Sequence, residues 1–389
     1  MEVTPSTRRV SPIAVECLVY LAFGMPVAML GVAWPTLRDD LGRADGDLGV
    51  LVLAYGLGRL VTSASSGPLL ARVRFGVASA VTLVGLALSG VWVATSPSWV
   101  ALVAAVAVVG ILSGVLDSLG ARFLAVSGSV RRAGLAAGSY GVGATIGPVV
   151  IALTDSVAVG YLTGALVALL AASMVVAPGI DWPAGLDSPP AVTRPTSGEP
   201  MGLDDLLRTP AVLVSLGLFA AFVSVEVTAG GWLATVLEDA RGVSGRLAGL
   251  SVGGFWAGIT VGRLLLGRFD LPDRALLVGV VVMSTCFAAL AFVPDGLILP
   301  VAVLAGLAVA PQFPTLLAHT GTRVGEALAG RVSGYQLIAA NLGATGLAAL
   351  TGVIVAATGP AAPLVVLIAV SLTGGVLLLV APRLRPVHP

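Results

Sequence analysis

The chain has 389 residues, 57% of them hydrophobic and 11% charged, with a net charge of +1. Soluble domains carry about 25% charged residues, so composition excludes an ordinary water-soluble fold. The near-neutral balance leaves no basic footprint for nucleic acid, and a chain without lysine cannot build a Walker A phosphate loop. His319 and His388 are the only histidines, and Cys17 and Cys286 the only cysteines. Four such scattered residues suit neither a zinc nor a haem centre, and no disulfide is expected. No metal, no cofactor and no enzymatic chemistry are expected.

A bilayer core about 30 Å thick needs about 20 apolar residues per crossing helix. In chain order, such stretches fall at about 12–35, 47–69, 76–95, 99–122, 133–153 and 157–178. Six more fall at about 210–237, 246–266, 274–293, 297–319, 329–356 and 361–381. Arg8 and Arg9 precede the first run as in a signal peptide, but the run continues to Trp34 without a small-residue cleavage site. It is expected to remain as a first helix. Turn residues mark several breaks, among them Ser96-Pro97-Ser98, Pro294-Asp295-Gly296 and Gly359-Pro360. The stretch 179–209 holds Pro183, Pro189, Pro190, Pro195 and Pro200 and reads as a cytoplasmic linker. The expectation is an all-α transmembrane chain of twelve helices. A bundle of six at 1–178 and another at 210–389 flank the linker.

Arginine placement sets the orientation. With a cytoplasmic N-terminus, one side collects Arg8, Arg9, Arg72, Arg74, Arg131, Arg132, Arg194, Arg208, Arg268, Arg274, Arg323, Arg331, Arg383 and Arg385. The other holds Arg38, Arg43, Arg241 and Arg246 among acids. The positive-inside rule then places both termini in the cytoplasm of a bacterial-type inner membrane.

The halves repeat at an offset of 200. Gly31, Asp39, Gly49, Gly58, Arg74 and Arg131 match Gly231, Asp239, Gly249, Gly258, Arg274 and Arg331, and Gly143-Ala144-Thr145 matches Gly343-Ala344-Thr345. Parallel repeats of this size are a transporter architecture.

The loop after the second run reads Gly67-Pro68-Leu69-Leu70-Ala71-Arg72-Val73-Arg74. It resembles the signature of the major facilitator superfamily, with Ala71 where that family carries an acid. The second copy, Gly267-Arg268-Phe269-Asp270, keeps an acid one residue out of register. Within the superfamily the chain is most similar to the fucose–proton symporter-like branch. That likeness rests on Glu226 with Gly230-Gly231-Trp232, on Ala310-Pro311-Gln312-Phe313-Pro314-Thr315, on Tyr335-Gln336 and Asn341, on Asp117, and on Gly143 through Pro148. The resemblance implies a monomeric carrier whose partners are a small polar, sugar-like solute, protons and the lipid bilayer. Val149-Val150-Ile151 after Pro148 lacks the further glycines of the superfamily's antiporters, which favours a symporter or uniporter.

Charges inside a bilayer cost about 2.5–3.5 kcal/mol each and usually face a cavity or a partner. Glu226, Asp117 and Glu16 are the candidate proton-coupling acids, against the plainer reading of structural ion pairs. Arg59, Arg263 and Arg122 are the candidate counter-charges or gates. Arg59 is matched to Glu226, and Arg122 to Asp117. Gln312, Gln336, Asn341, Tyr140, Tyr335, Trp34, Trp232 and Trp256 are candidate substrate contacts, because a sugar offers polar edges and apolar faces. The plainer reading of the amides is interhelical hydrogen bonding, and that of Trp34 and Trp232 is packing or an interfacial belt. Proton-coupled efflux of drugs or amphipathic metabolites is the alternative function.

Overall fold

The computed structural model describes residues 10–70, 73–186, 206, 208–266, 269 and 271–384, without the side chains of 64–70, 130 and 273. Ala71, Arg72, Gly267, Arg268 and Asp270 of the loop signature lie outside the described residues, as do most of the expected linker, Arg8, Arg9, Arg385 and His388.

A bilayer supplies no water to unpaired backbone groups, so each crossing segment must close its own hydrogen bonds as a helix. Among the described residues every regular element is a helix, with no strand. The helices are α1 (Pro12–Leu41), α2 (Leu48–Leu70), α3 (Phe75–Ala94), α4 (Trp99–Ser127), α5 (Val130–Thr154) and α6 (Val157–Val175). There follow α7 (Pro210–Thr235), α8 (Gly245–Leu266), α9 (Asp273–Ala289), α10 (Asp295–Val309), α11 (Gln312–Ala318), α12 (Thr320–Val324), α13 (Glu326–Thr358) and α14 (Ala362–Val380). Ten of these segments are long and apolar enough to cross a membrane, and α2 and the shorter apolar α9 complete a set of twelve. Many large apolar side chains point outward, such as Leu166 at 68% and Val281 at 63% exposure. In water such a surface would aggregate; in lipid it is the solvent face.

Local chemistry sets the helix ends. Ser98 and Ser156 accept the N–H of Ala101 and Val159, capping α4 and α6. Gly128 ends α4 in a left-handed conformation (φ 57°) that suits glycine. One expected helix is divided: Pro311, which lacks an N–H, stands at the junction of α10 and α11 within the expected 297–319 segment.

The chain forms two compact units. The first takes Met1–Met29, Ala54–Val150 and Ser156–Ala191, and the second Leu30–Leu53, Ile151–Asp155 and Val192–Pro389. Within the first, Trp182 packs edge-on against Phe75 and Phe123, tying the segment after α6 to the ends of α3 and α4.

The sequence repeat recurs as repeated contacts. In the first unit a Cβ on Gly58 would strike the backbone at Ala107 and Ile111; in the second, a Cβ on Gly258 would strike it at Val303 and Leu307. Gly110 lies against the carbonyl of Tyr55, and Gly306 against that of Phe255. Gly143 meets the carbonyl of Leu21, and Gly343 that of Ala220. Each crossing uses the absence of a side chain to bring two helix backbones together, the packing available where lipid removes the hydrophobic drive between helices. Gly110→Ala and Gly306→Ala should each destabilise their unit by about 1–3 kcal/mol through overpacking. Gly334→Ala, where no atom lies within 4 Å of the added Cβ, should be neutral or slightly stabilising. Melting curves of the three variants in detergent check this.

Candidate functional site

Among the described residues, each unit holds one intramembrane ion pair. In the first, Arg59 of α2 donates from Nε to Asp117 Oδ2 of α4 at 2.6 Å. Gly114, one turn from Asp117, sits against the Arg59 carbonyl, so a small residue on α4 lets α2 come close enough for the pair. In the second, Arg263 Nη2 of α8 donates to Glu226 Oε2 of α7 at 2.6 Å. The side chains of both pairs keep between 12% and 27% exposure, which places them half-buried. The sequence reading matched Asp117 to Arg122 and Glu226 to Arg59. The structure gives each acid a partner on the neighbouring helix of its own unit, and Arg122 has interactions of its own.

Glu16 differs from both. It is 2% exposed on α1, and among the described residues it has no ion pair and no hydrogen bond. Tyr20 lies one turn further along α1, its hydroxyl over Gly120 of α4. Tyr20, Phe23 and Tyr140 form a chain of tilted rings with centroids 5.3 and 5.0 Å apart. Tyr55 and Tyr140 stand near Arg59. The first unit therefore gathers two acids, one arginine and three tyrosines on α1, α2, α4 and α5.

The expected substrate contacts divide in the second unit. Gln336 is fully buried: it donates to Ser215 Oγ at 2.7 Å and accepts from Thr320 Oγ1 at 3.1 Å, which joins α7, α12 and α13. Gln312 is also buried and donates to the Leu276 carbonyl at 3.2 Å, while its Oε1 has no partner. Trp34 and Trp232 are fully buried, donating to the carbonyls of Asp45 at 3.1 Å and Ala348 at 3.0 Å. Asn341 donates to the Leu337 carbonyl of its own helix at 2.9 Å. Tyr335 packs at the edge of a cluster of Leu206, Val212, Val324 and Val332. Trp256 lies against Gly230 with its buried Nε1 unpaired, on the α8 face that also carries Arg263.

A further network went unassigned in the sequence. At the α1–α2 and α7–α8 turns of the second unit, Arg38 holds Asp239 with two bonds of 2.7 and 3.1 Å, and also engages Asp39 and Asp45. Asp39 and Asp239 are repeat-equivalent, a signal present in the 200-residue offset and read there only as evidence of duplication. Gly31 and its repeat mate Gly231 also meet in this unit.

Removing one member of a half-buried ion pair leaves the other uncompensated. Arg263→Gln should cost about 1–3 kcal/mol, below the range for fully buried pairs because water reaches the site. Adding Glu226→Gln should recover most of that loss, and thermal unfolding of the single and double variants measures it.

No curated protein matches the chain in sequence. Among solved structures, the D-xylose–proton symporter superposes with a TM-score of 0.70 at 14% identity, covering 96% of this chain and 97% of that one. The nucleoside transporter NupG, in a mutant form, gives a TM-score of 0.74 at 13% identity, covering 94% and 98%. A bacterial homologue of the human lysosomal transporter Spinster, inward-facing and occupied, gives 0.70 at 14%, covering 97% and 98%. These likenesses establish the fold. The Major Facilitator Superfamily model matches residues 17–346, most of the chain. A helical chain of this fold, matched over that length, belongs to the Major Facilitator Superfamily and is a multi-pass membrane transporter rather than an enzyme.

Proposed function

We propose that this transporter moves a small polar, sugar-like solute by alternating access, coupled to protons, with Glu16 as the proton-bearing carboxyl. The observation that carries the reading is the solitude of Glu16. Asp117 and Glu226 each hold an arginine at 2.6 Å. Glu16 is as buried as a core residue and has no such partner among the described residues. A carboxyl out of water with no compensating charge favours the neutral form, so its proton becomes exchangeable when the surroundings change. Asp117 and Glu226 then act as charge partners of Arg59 and Arg263. The fold shared with a xylose–proton symporter and a nucleoside transporter supports a polar solute, as does the fucose–proton symporter-like pattern of short motifs. In this reading residues 1–178 and 210–389 are two six-helix bundles joined by a linker at 179–209. Both termini face the cytoplasm of a bacterial inner membrane, and the carrier works as a monomer.

One observation favours a second reading, the efflux of amphipathic solutes. Gln336, Trp34 and Trp232 spend their donors on other parts of the second unit. Of the expected contacts, that leaves Trp256, Asn341, Tyr335, Gln312 Oε1 and the Arg263–Glu226 pair in this unit, few groups for a sugar ring. A thermal-shift screen with D-xylose, uridine and hydrophobic cations separates the two, since the first reading requires stabilisation by one of the polar compounds.

In proteoliposomes, Glu16→Gln should abolish uphill accumulation driven by a pH gradient while leaving solute exchange at equal pH intact. Gradient-driven accumulation by Glu16→Gln at the unmodified level would remove Glu16 from the coupling step.

A further inference from the structure

Tyr20 was not among the residues the sequence singled out, yet its ring and hydroxyl are closely placed between α1 and α4. Glu16 and Tyr20 are four residues apart and share one face of α1. The Tyr20 hydroxyl reaches α4 at Gly120, where a Cβ would overlap it and would fall 2.8 Å from its Cζ. Asp117 lies three residues before Gly120, on the same face of α4. The Tyr20 hydroxyl is largely withdrawn from water, and the charges of Glu16 and Asp117 both reach it. That hydroxyl makes no hydrogen bond among the described residues, so neither its donor nor its acceptor is committed. Arg59, paired with Asp117, and Tyr55 and Tyr140, near Arg59, complete the surrounding set.

We propose that the Tyr20 hydroxyl relays the proton between Glu16 and Asp117. This rests on the reading of Glu16 as the proton-bearing group and adds the route by which its proton leaves. In the step, the Glu16 carboxyl O–H breaks as its proton joins the Tyr20 oxygen, and the Tyr20 O–H breaks as its proton joins Asp117. Tyrosine is neutral before and after, Glu16 ends as a carboxylate and Asp117 as a neutral acid. The same step discharges the partner of Arg59, so a proton delivered through Tyr20 loosens the clasp between α2 and α4. Gly120 is then a glycine because the relay needs room on α4. The ring of Tyr20 is held by Phe23 at 5.3 Å, which fixes the oxygen without using it.

The test follows the proton and needs no identified solute. The full chain in lipid nanodiscs is subjected to a pH jump while infrared absorption of protonated carboxyl groups is recorded. Glu16→Gln and Asp117→Asn identify the two bands. In the unmodified protein the Glu16 and Asp117 bands should exchange intensity in one phase. Tyr20→Phe keeps the ring and removes the hydroxyl. It should slow that phase about a hundredfold, the lower end of what a positioned acid–base group contributes, and Tyr161→Phe, on α6 beside Gly90 of α3, should leave it unchanged. If Tyr20→Phe does not fold, as judged by its melting curve, Gly120→Ala displaces the hydroxyl and should give the same slowing. A Glu16 band with exchange at the unmodified rate in these variants overturns the relay alone. Absence of any Glu16 band in the unmodified protein overturns the reading of Glu16, and the relay with it.

Discussion

A bilayer gives polar groups no water to fall back on. Every backbone amide in the spanning region must be paired inside its own helix, and each polar side chain must find a partner, a cavity or a neutral form. With 11% charged residues in the whole chain, few intramembrane charges exist to be placed. Their placement therefore carries more information than in a soluble protein, where an unpaired surface charge means nothing. Arg59, Asp117, Glu226 and Arg263 have solved the problem by pairing at 2.6 Å.

Pairing in turn depends on how closely the helices approach. The α2–α4 contact that brings Arg59 to Asp117 is built on Gly58, Gly110 and Gly114, each of which lies against the partner helix's backbone. The α8–α10 crossing at Gly258 and Gly306 repeats that construction in the second unit, but its charge is placed differently: Arg263 turns to α7. The packing contacts recur in both units, whereas the ionisable groups sit at different places on them. This is the expected division of labour when the frame is fixed by sterics and the charges by function.

Much of the frame could be read from the linear sequence. Hydrophobic runs of bilayer length located the helices, and Pro311 and Gly128 act where their backbone limits require. The offset of 200 residues matched Gly58 to Gly258, and the structure sets the first against α4 and the second against α10. Charge pairing was less legible because the partners lie 58 and 37 residues apart, and which faces meet depends on helix rotation that no local pattern encodes. Gln336 shows the same limit. Its amide was open to two readings, a solute contact or an interhelical hydrogen bond, and only the rotation of α13 shows that it reaches Ser215 and Thr320. Tyr20 had a signal that could have been used: an aromatic hydroxyl one turn from an intramembrane acid. Its other half, Gly120, becomes meaningful only once α1 and α4 are neighbours.

Glu16 is best understood by asking why none of the described residues pairs with it. Arginine at a neighbouring position would have satisfied it, as it satisfies Asp117. A permanently paired carboxylate, however, keeps its charge through any change of surroundings, because separating the pair leaves an uncompensated ion. A carboxyl that must alternate between charged and neutral forms needs surroundings that hold neither form strongly. Burial without a partner disfavours the charged form, and a nearby hydroxyl able both to give and to accept a proton offers the neutral form a way out. The cost of leaving Glu16 unpaired falls on one buried acid, which can be neutral, whereas the cost of breaking Arg59 from Asp117 falls on a guanidinium that cannot. Under the proposed relay, a proton reaching Asp117 would do more than neutralise an acid: it would leave Arg59 without its counter-charge, and the arginine could recover one only by moving toward water or toward the newly charged Glu16. On that proposal, this obligation is what would link the position of a proton to the position of a helix.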